Sequence, residues 1–168
     1  MDDKASVNDP KHGFENEPLL NFFKELAKVK NSQRSLALVT NGVLELFVET
    51  LIKASCRNHK RITEDNRSFP YSVKLLMLNE VGVLDDEYYK HLDWFRKIRN
   101  EAAHKPIFEV TDKSLKGHVS VEYSDPEKLH DLCSTMISAF WNDYIDVLSP
   151  VFAPKIHQAR ARARAASS

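Results

Sequence analysis

Arg99, Asn100 and His104 fall within six residues and carry the groups needed to hold and cleave a phosphodiester without a metal. Histidine is the side chain whose ordinary pKa lets it take or give a proton near neutrality. Arginine presents a fixed cationic fork that matches phosphate oxygens. In RNA cleavage a base removes the 2′-OH proton while a cation stabilises the charged phosphorane. His104 suits the first task, Arg99 the second, and Asn100 can orient the imidazole or bond a phosphate oxygen. The stretch has a structural reading as well. A histidine just before Lys105-Pro106 can donate to the open carbonyls of a helix end, and the helix dipole favours arginine in a last turn.

The three residues close an amphipathic helix. Asp85-Asp86-Glu87 place negative charge at its N-terminus, and Tyr88, Leu92, Phe95, Ile98 and Ala102 recur every three or four residues as its buried stripe. Asn100 and His104, four apart, share a face. Arg99 lies five residues before His104, about 500° of rotation, or roughly 140° beyond one turn. One helix therefore serves the trio poorly. A second copy of the same helix across a two-fold axis would gather two Arg, two Asn and two His, so the spacing points to a homodimer.

The rest of the chain also reads as helical. Glu17-Pro18 opens a helix with Leu19, Leu20, Phe22, Phe23, Leu26 and Val29 on its apolar face. Asn31 or Ser32 caps a long helix to about Arg57, whose stripe is Leu36, Val39, Val43, Leu46, Phe47, Thr50, Leu51 and Ala54, with Gly42 midway. Residues 58–68 are charged and without apolar period, and read as a loop. Pro70 precedes a helix from Tyr71 to Val81, with Val73, Leu76, Met77 and Leu75 as inward candidates and Gly82 as its stop. After Pro106, Ile107, Phe108 and Val110, then Val119, Val121 and Tyr123, flank Lys116-Gly117, which fits either a small hairpin or an irregular connection. Asp125-Pro126 starts a last helix carrying Leu129, Leu132, Cys133, Met136, Ile137, Phe140, Trp141, Tyr144 and Leu148, ended by Pro150 and Pro154. The expected fold is an all-α bundle of about five helices over 17–150. A flexible lead-in (1–16) precedes it, and a basic, mobile tail (151–168) that could turn helical on a partner follows.

Composition narrows the partners. In 168 residues the formal net charge is zero, so any nucleic-acid contact must come from a local patch. Arg96, Lys97 and Lys105 around the motif, and Arg160, Arg162 and Arg164 in the tail, are the weak candidates for phosphate contact, with His59 beside Lys60-Arg61 a further one. Cys56 and Cys133 stand alone and read as reduced thiols of a cytoplasmic protein. No Cys/His ligand spacing occurs, so neither metal nor cofactor is expected. The polar N-terminus does not read as a secretory signal, and no run approaches the roughly 18 consecutive apolar residues of a membrane helix. His118, His130 and His157 are scattered, Glu45 and Glu49 read as solvated carboxylates, and Trp94 and Trp141 as core or interface aromatics.

The string Arg99-Asn100-Glu101-Ala102-Ala103-His104 resembles the Arg-x4-His signature of the HEPN superfamily, with the polar residue after Arg that active members prefer. Ser32-Gln33-Arg34-Ser35-Leu36-Ala37, then Phe69-Pro70-Tyr71-Ser72-Val73-Lys74-Leu75-Leu76 leading to Val81-Gly82-Val83-Leu84, are similar to the mannitol operon repressor branch. The resemblance covers about Ser32 to His104. It implies a helical, often dimeric protein and a metal-independent endoribonuclease of toxin–antitoxin or phage-defence type, with Arg99 and His104 meeting at the dimer interface. For the repressor-like branch it implies instead a non-catalytic transcriptional regulator or protein-interaction module. A neighbouring partner, an antitoxin or a regulator, fits either outcome.

Overall fold

The core is organised around one helix rather than around two facing layers. The structure, a computed structural model, describes residues 17–111 and 121–167. The expected lead-in and the Lys116-Gly117 turn lie outside the described residues. Helix α1 is Pro18–Lys28, α2 Gln33–Ser55, α3 His59–Glu64, α4 Tyr71–Glu80, α5 Asp86–His104, α6 Pro126–Asp143, α7 Ile145–Phe152 and α8 Pro154–Ala166; Val121–Ser124 forms a 3-10 turn. No strand occurs among the described residues, and the all-α expectation holds.

Helix α2 packs against α1, α3, α4, α5, α6 and α7. Its composition explains this position: Leu36, Ala37, Val43, Leu44, Phe47, Val48, Leu51 and Ile52 are buried on more than half of its circumference. At its centre the Phe47 ring meets Phe22 at 6.1 Å, Phe140 at 5.9 Å, Trp141 at 6.2 Å and Phe152 at 5.1 Å, which ties four helices together. By length and mean hydropathy α2 could also cross a membrane, but 61% of that window is buried inside the protein.

Local signals set most helix ends. The Ser32 hydroxyl accepts from the Ser35 amide at 3.2 Å and starts α2, and the Asp85 carboxylate accepts from the Tyr88 amide at 2.8 Å and starts α5. Gly82, at φ 73°, closes α4. Its amide donates to Asn79 O and that of Val83 to Leu78 O, both at 2.9 Å, the paired bonds of a Schellman stop. Leu84 then tucks into the core.

Several expectations need correction. The charged segment 58–68 contains the short helix α3, anchored by one buried residue, Ile62. In α4 the inward residues are Tyr71, Lys74, Leu75 and Leu78, while Leu76 is exposed. The burial follows an i, i+3/i+4 stripe that starts at Tyr71, and Leu76 falls off it. Leu20, Leu46 and Ala54 likewise face outward. The final long helix breaks at Tyr144 (φ −112°, ψ 22°), and Pro150 does not end it but lies inside α7. Pro154 begins α8 in the first turn, where a missing amide proton costs nothing.

The tail takes helical form within the chain itself. The Lys155 amide donates to Glu17 Oε1 at 3.3 Å, and Ser149 Oγ and His157 Nδ1 are hydrogen-bonded at 3.1 Å. Arg160 and Arg164 reach back to Asp146 at 3.3 and 2.9 Å. Those two cations, with Arg164 foremost, hold the Asp146 carboxyl below its ordinary pKa.

Candidate functional site

Helix α5 presents two of its three motif residues, Arg99 and Asn100, beside a polar cavity. Leu92, Phe95, Ile98 and Ala102 are buried against the bundle, which turns Arg99 and Asn100 to the edge of the contact with α2 and α4. Arg99 Nη1 donates to Asn100 Oδ1 at 3.1 Å. Both line a cavity of about 340 Å³ together with Asn41 and Glu45 of α2, Asn66, Pro70 and Tyr71. Arg99 has no carboxylate within ion-pair distance among the described residues.

Arg96 lines the same cavity but is committed elsewhere. Its Nε and Nη2 donate to Asp93 Oδ1 at 2.9 and 2.7 Å, while Lys97 Nζ sits 2.8 Å from Oδ2. Burial pushes the Asp93 carboxyl pKa up, yet the two cations together outweigh it and hold it below the ordinary value. Lys105 is paired with Glu101 at 2.7 Å. The weak phosphate candidates therefore divide. Lys97, Lys105, Arg160 and Arg164 are partnered by carboxylates, and Arg162 is exposed on a helix whose neighbours turn to Asp146.

His104 does not join the cavity. It is exposed in the last turn of α5, and its imidazole makes no hydrogen bond among the described residues. The helix-capping task it might have had belongs to Arg34, which sequence reasoning did not single out. Arg34 Nη1 donates to Ala102 O, and Nη2 to Lys105 O at 2.7 Å and Pro106 O at 3.0 Å. Its guanidinium also lies over the Phe108 ring, 5.8 Å from the centroid. A signal for this was present. An arginine in the first turn of α2 opposes that helix's own dipole, and it is accounted for by the C-terminal end of another helix, where a cation is favoured.

The neighbouring Gln33 holds the segment after the motif. Its Nε2 donates to Ser124 O, and its Oε1 accepts from the Val110 amide at 2.9 Å. Phe108 and buried Val110 are thereby fixed against the start of α2, while Ile107 stays exposed.

Three buried polar residues also escaped the sequence reading. Lys74 is fully buried, donating to Glu49 Oε1 at 2.7 Å and Asn66 Oδ1 at 2.8 Å. Asn41, 2% exposed, and Tyr71, 9% exposed, carry a carboxamide oxygen and a hydroxyl without a hydrogen-bond partner among the described residues. Asn41 interrupts an apolar face, which marks it in retrospect; nothing in the sequence distinguishes Tyr71 from a core aromatic. No group of three or more His, Cys, Asp or Glu suited to a metal ion occurs among the described residues. Cys133 is buried, and burial pushes its thiol pKa up to about 12, against a lowering contribution from Thr40.

No family model, curated protein or solved structure matches this chain.

Proposed function

We propose that the chain is a cytoplasmic, homodimeric protein of HEPN type whose Arg99, Asn100 and His104 act on RNA, cleaving it without a metal. The observation that carries this reading is the freedom of His104. Arg34 occupies the carbonyls at the end of α5, so the imidazole is left exposed, without the capping role that would explain it structurally. Five residues earlier in the same helix stands Arg99, a cation without a carboxylate partner among the described residues. In a two-fold pair of α5 helices, Arg99 of one copy stabilises the charged phosphorane and His104 transfers the proton. Toxin or phage-defence activity is the biological setting that fits such a site.

A second reading, a non-catalytic regulator of the mannitol operon repressor type, draws on a different observation. Most cations near the motif and in the tail are already paired with carboxylates, and Leu38, Leu46 and Leu76 are exposed, which favours protein contacts over RNA.

One experiment separates the two. The His104→Ala protein is tested for cleavage of single-stranded RNA in the presence of EDTA, with its dimer and melting temperature measured alongside. Loss of cleavage with dimer and melting unchanged supports the nuclease. Cleavage that persists in the variant removes it, and wild-type protein that never cleaves favours the regulator.

A further inference from the structure

The cavity beside Arg99 has features that cleavage chemistry alone does not require. Its walls hold a cation, Arg99, and a carboxylate, Glu45, neither of which is in an ion pair among the described residues. Asn41 and Tyr71 line the same cavity, and the carboxamide oxygen of one and the hydroxyl of the other are buried without a partner among the described residues. Leaving such atoms unsatisfied costs about 1–3 kcal/mol each, a cost that a ligand bonding to them would remove. The nearby Lys74 ammonium shows the contrast, since it has two partners, Glu49 and Asn66. The volume of about 340 Å³ falls at the small end of ligand cavities.

We infer that this cavity receives a guanine base of a single-stranded RNA, read by Glu45 at its donor edge, with Arg99 left to the phosphate. The inference rests on the RNA-directed reading above and gives it a substrate class.

Guanine offers two adjacent donors, N1–H and the N2 amino group, on one edge, and the acceptors O6 and N7 on another. A carboxylate takes the two donors together, which is the role of Glu45, while the Arg99 fork keeps the phosphate role given to it above. Adenine, cytosine and uracil each lack the adjacent donor pair. Asn41 can serve as acceptor or donor by turning its amide, and the Tyr71 hydroxyl is a donor in reserve. Burial, assisted by Glu45 and opposed by Arg96, keeps that hydroxyl protonated well above its ordinary range. Arg96, pinned by Asp93, gives the wall a fixed positive edge near the phosphate of the same nucleotide. Exposed Pro70, also in the lining, supplies an apolar surface for one face of the base.

The test measures binding of the four nucleoside 5′-monophosphates by calorimetry, for the wild type and for Glu45→Gln and Tyr71→Phe. Melting curves confirm that each variant folds. Guanosine monophosphate should bind at least about tenfold more tightly than the other three, and Glu45→Gln should remove that preference. Equal affinities, no binding at all, or a preference untouched by Glu45→Gln would overturn the inference. Cleavage of oligonucleotides with a single guanosine is followed in parallel. Guanine-selective binding without cleavage upholds the cavity and removes the nuclease; cleavage indifferent to base and to Glu45→Gln does the reverse.

Discussion

The Arg34 guanidinium donates to the carbonyl oxygen of Lys105 at 2.7 Å, joining the first turn of α2 to the end of α5, 71 residues further along the chain. The same side chain takes the carbonyls of Ala102 and Pro106. Arg34→Ala should destabilise the protein by about 1.5 kcal/mol, the low end for hydrogen bonds to a charged group, because water reaches two of the three carbonyls. Arg34→Lys should recover less than half, since an ammonium cannot span them as a fork does. Urea unfolding of the three proteins checks this, and an unchanged midpoint for Arg34→Ala would mean that the cap adds nothing.

Lys74 and Glu49 form an asymmetric pair. The ammonium is fully buried, while the carboxylate keeps 23% of its side chain in solvent. Removing the carboxylate strands a buried cation, so Glu49→Leu should cost about 3 kcal/mol. Lys74→Met keeps the apolar stem and leaves a carboxylate that water can reach, so it should cost about 1 kcal/mol or less. Chemical denaturation that ranks the two variants the other way would contradict this account.

Alkaline stability should depend on tyrosine. Burial raises the pKa of Tyr71, Tyr88 and Tyr144 above the ordinary value of 10.0. For Tyr88 the hydrogen bond to Asp143 adds to burial. A group whose folded pKa is raised stabilises fully below its unfolded pKa, and that contribution is lost as pH climbs toward the folded value. Unfolding free energy should therefore be flat in tyrosine up to about pH 10 and fall beyond it, with the tyrosinate absorbance of these three residues appearing only on unfolding. Tyr88→Phe should flatten part of the decline. Three tyrosines that ionise in the folded protein near pH 10 would refute it.

The all-helical class, the cap at Ser32, the acidic start of α5, the stop at Gly82 and the buried stripe of α5 were legible in the sequence because each is local. Apolar spacing and capping chemistry act within about a turn or two, so a linear reading captures them. The content of the motif was legible for the same reason. Its surroundings were not. That Arg34 relieves His104 of a capping role, that Lys74 is buried with Glu49 and Asn66, and that Asn41, Glu45 and Tyr71 meet beside Arg99 are decisions of tertiary structure. Each joins residues far apart in the chain, and hydrogen bonding and charge leave no periodic trace in a sequence. The chain by itself determined that a reactive trio ends a helix; only the packing of α2 and α4 against α5 decided that Arg99 and Asn100 face a cavity while His104 faces solvent.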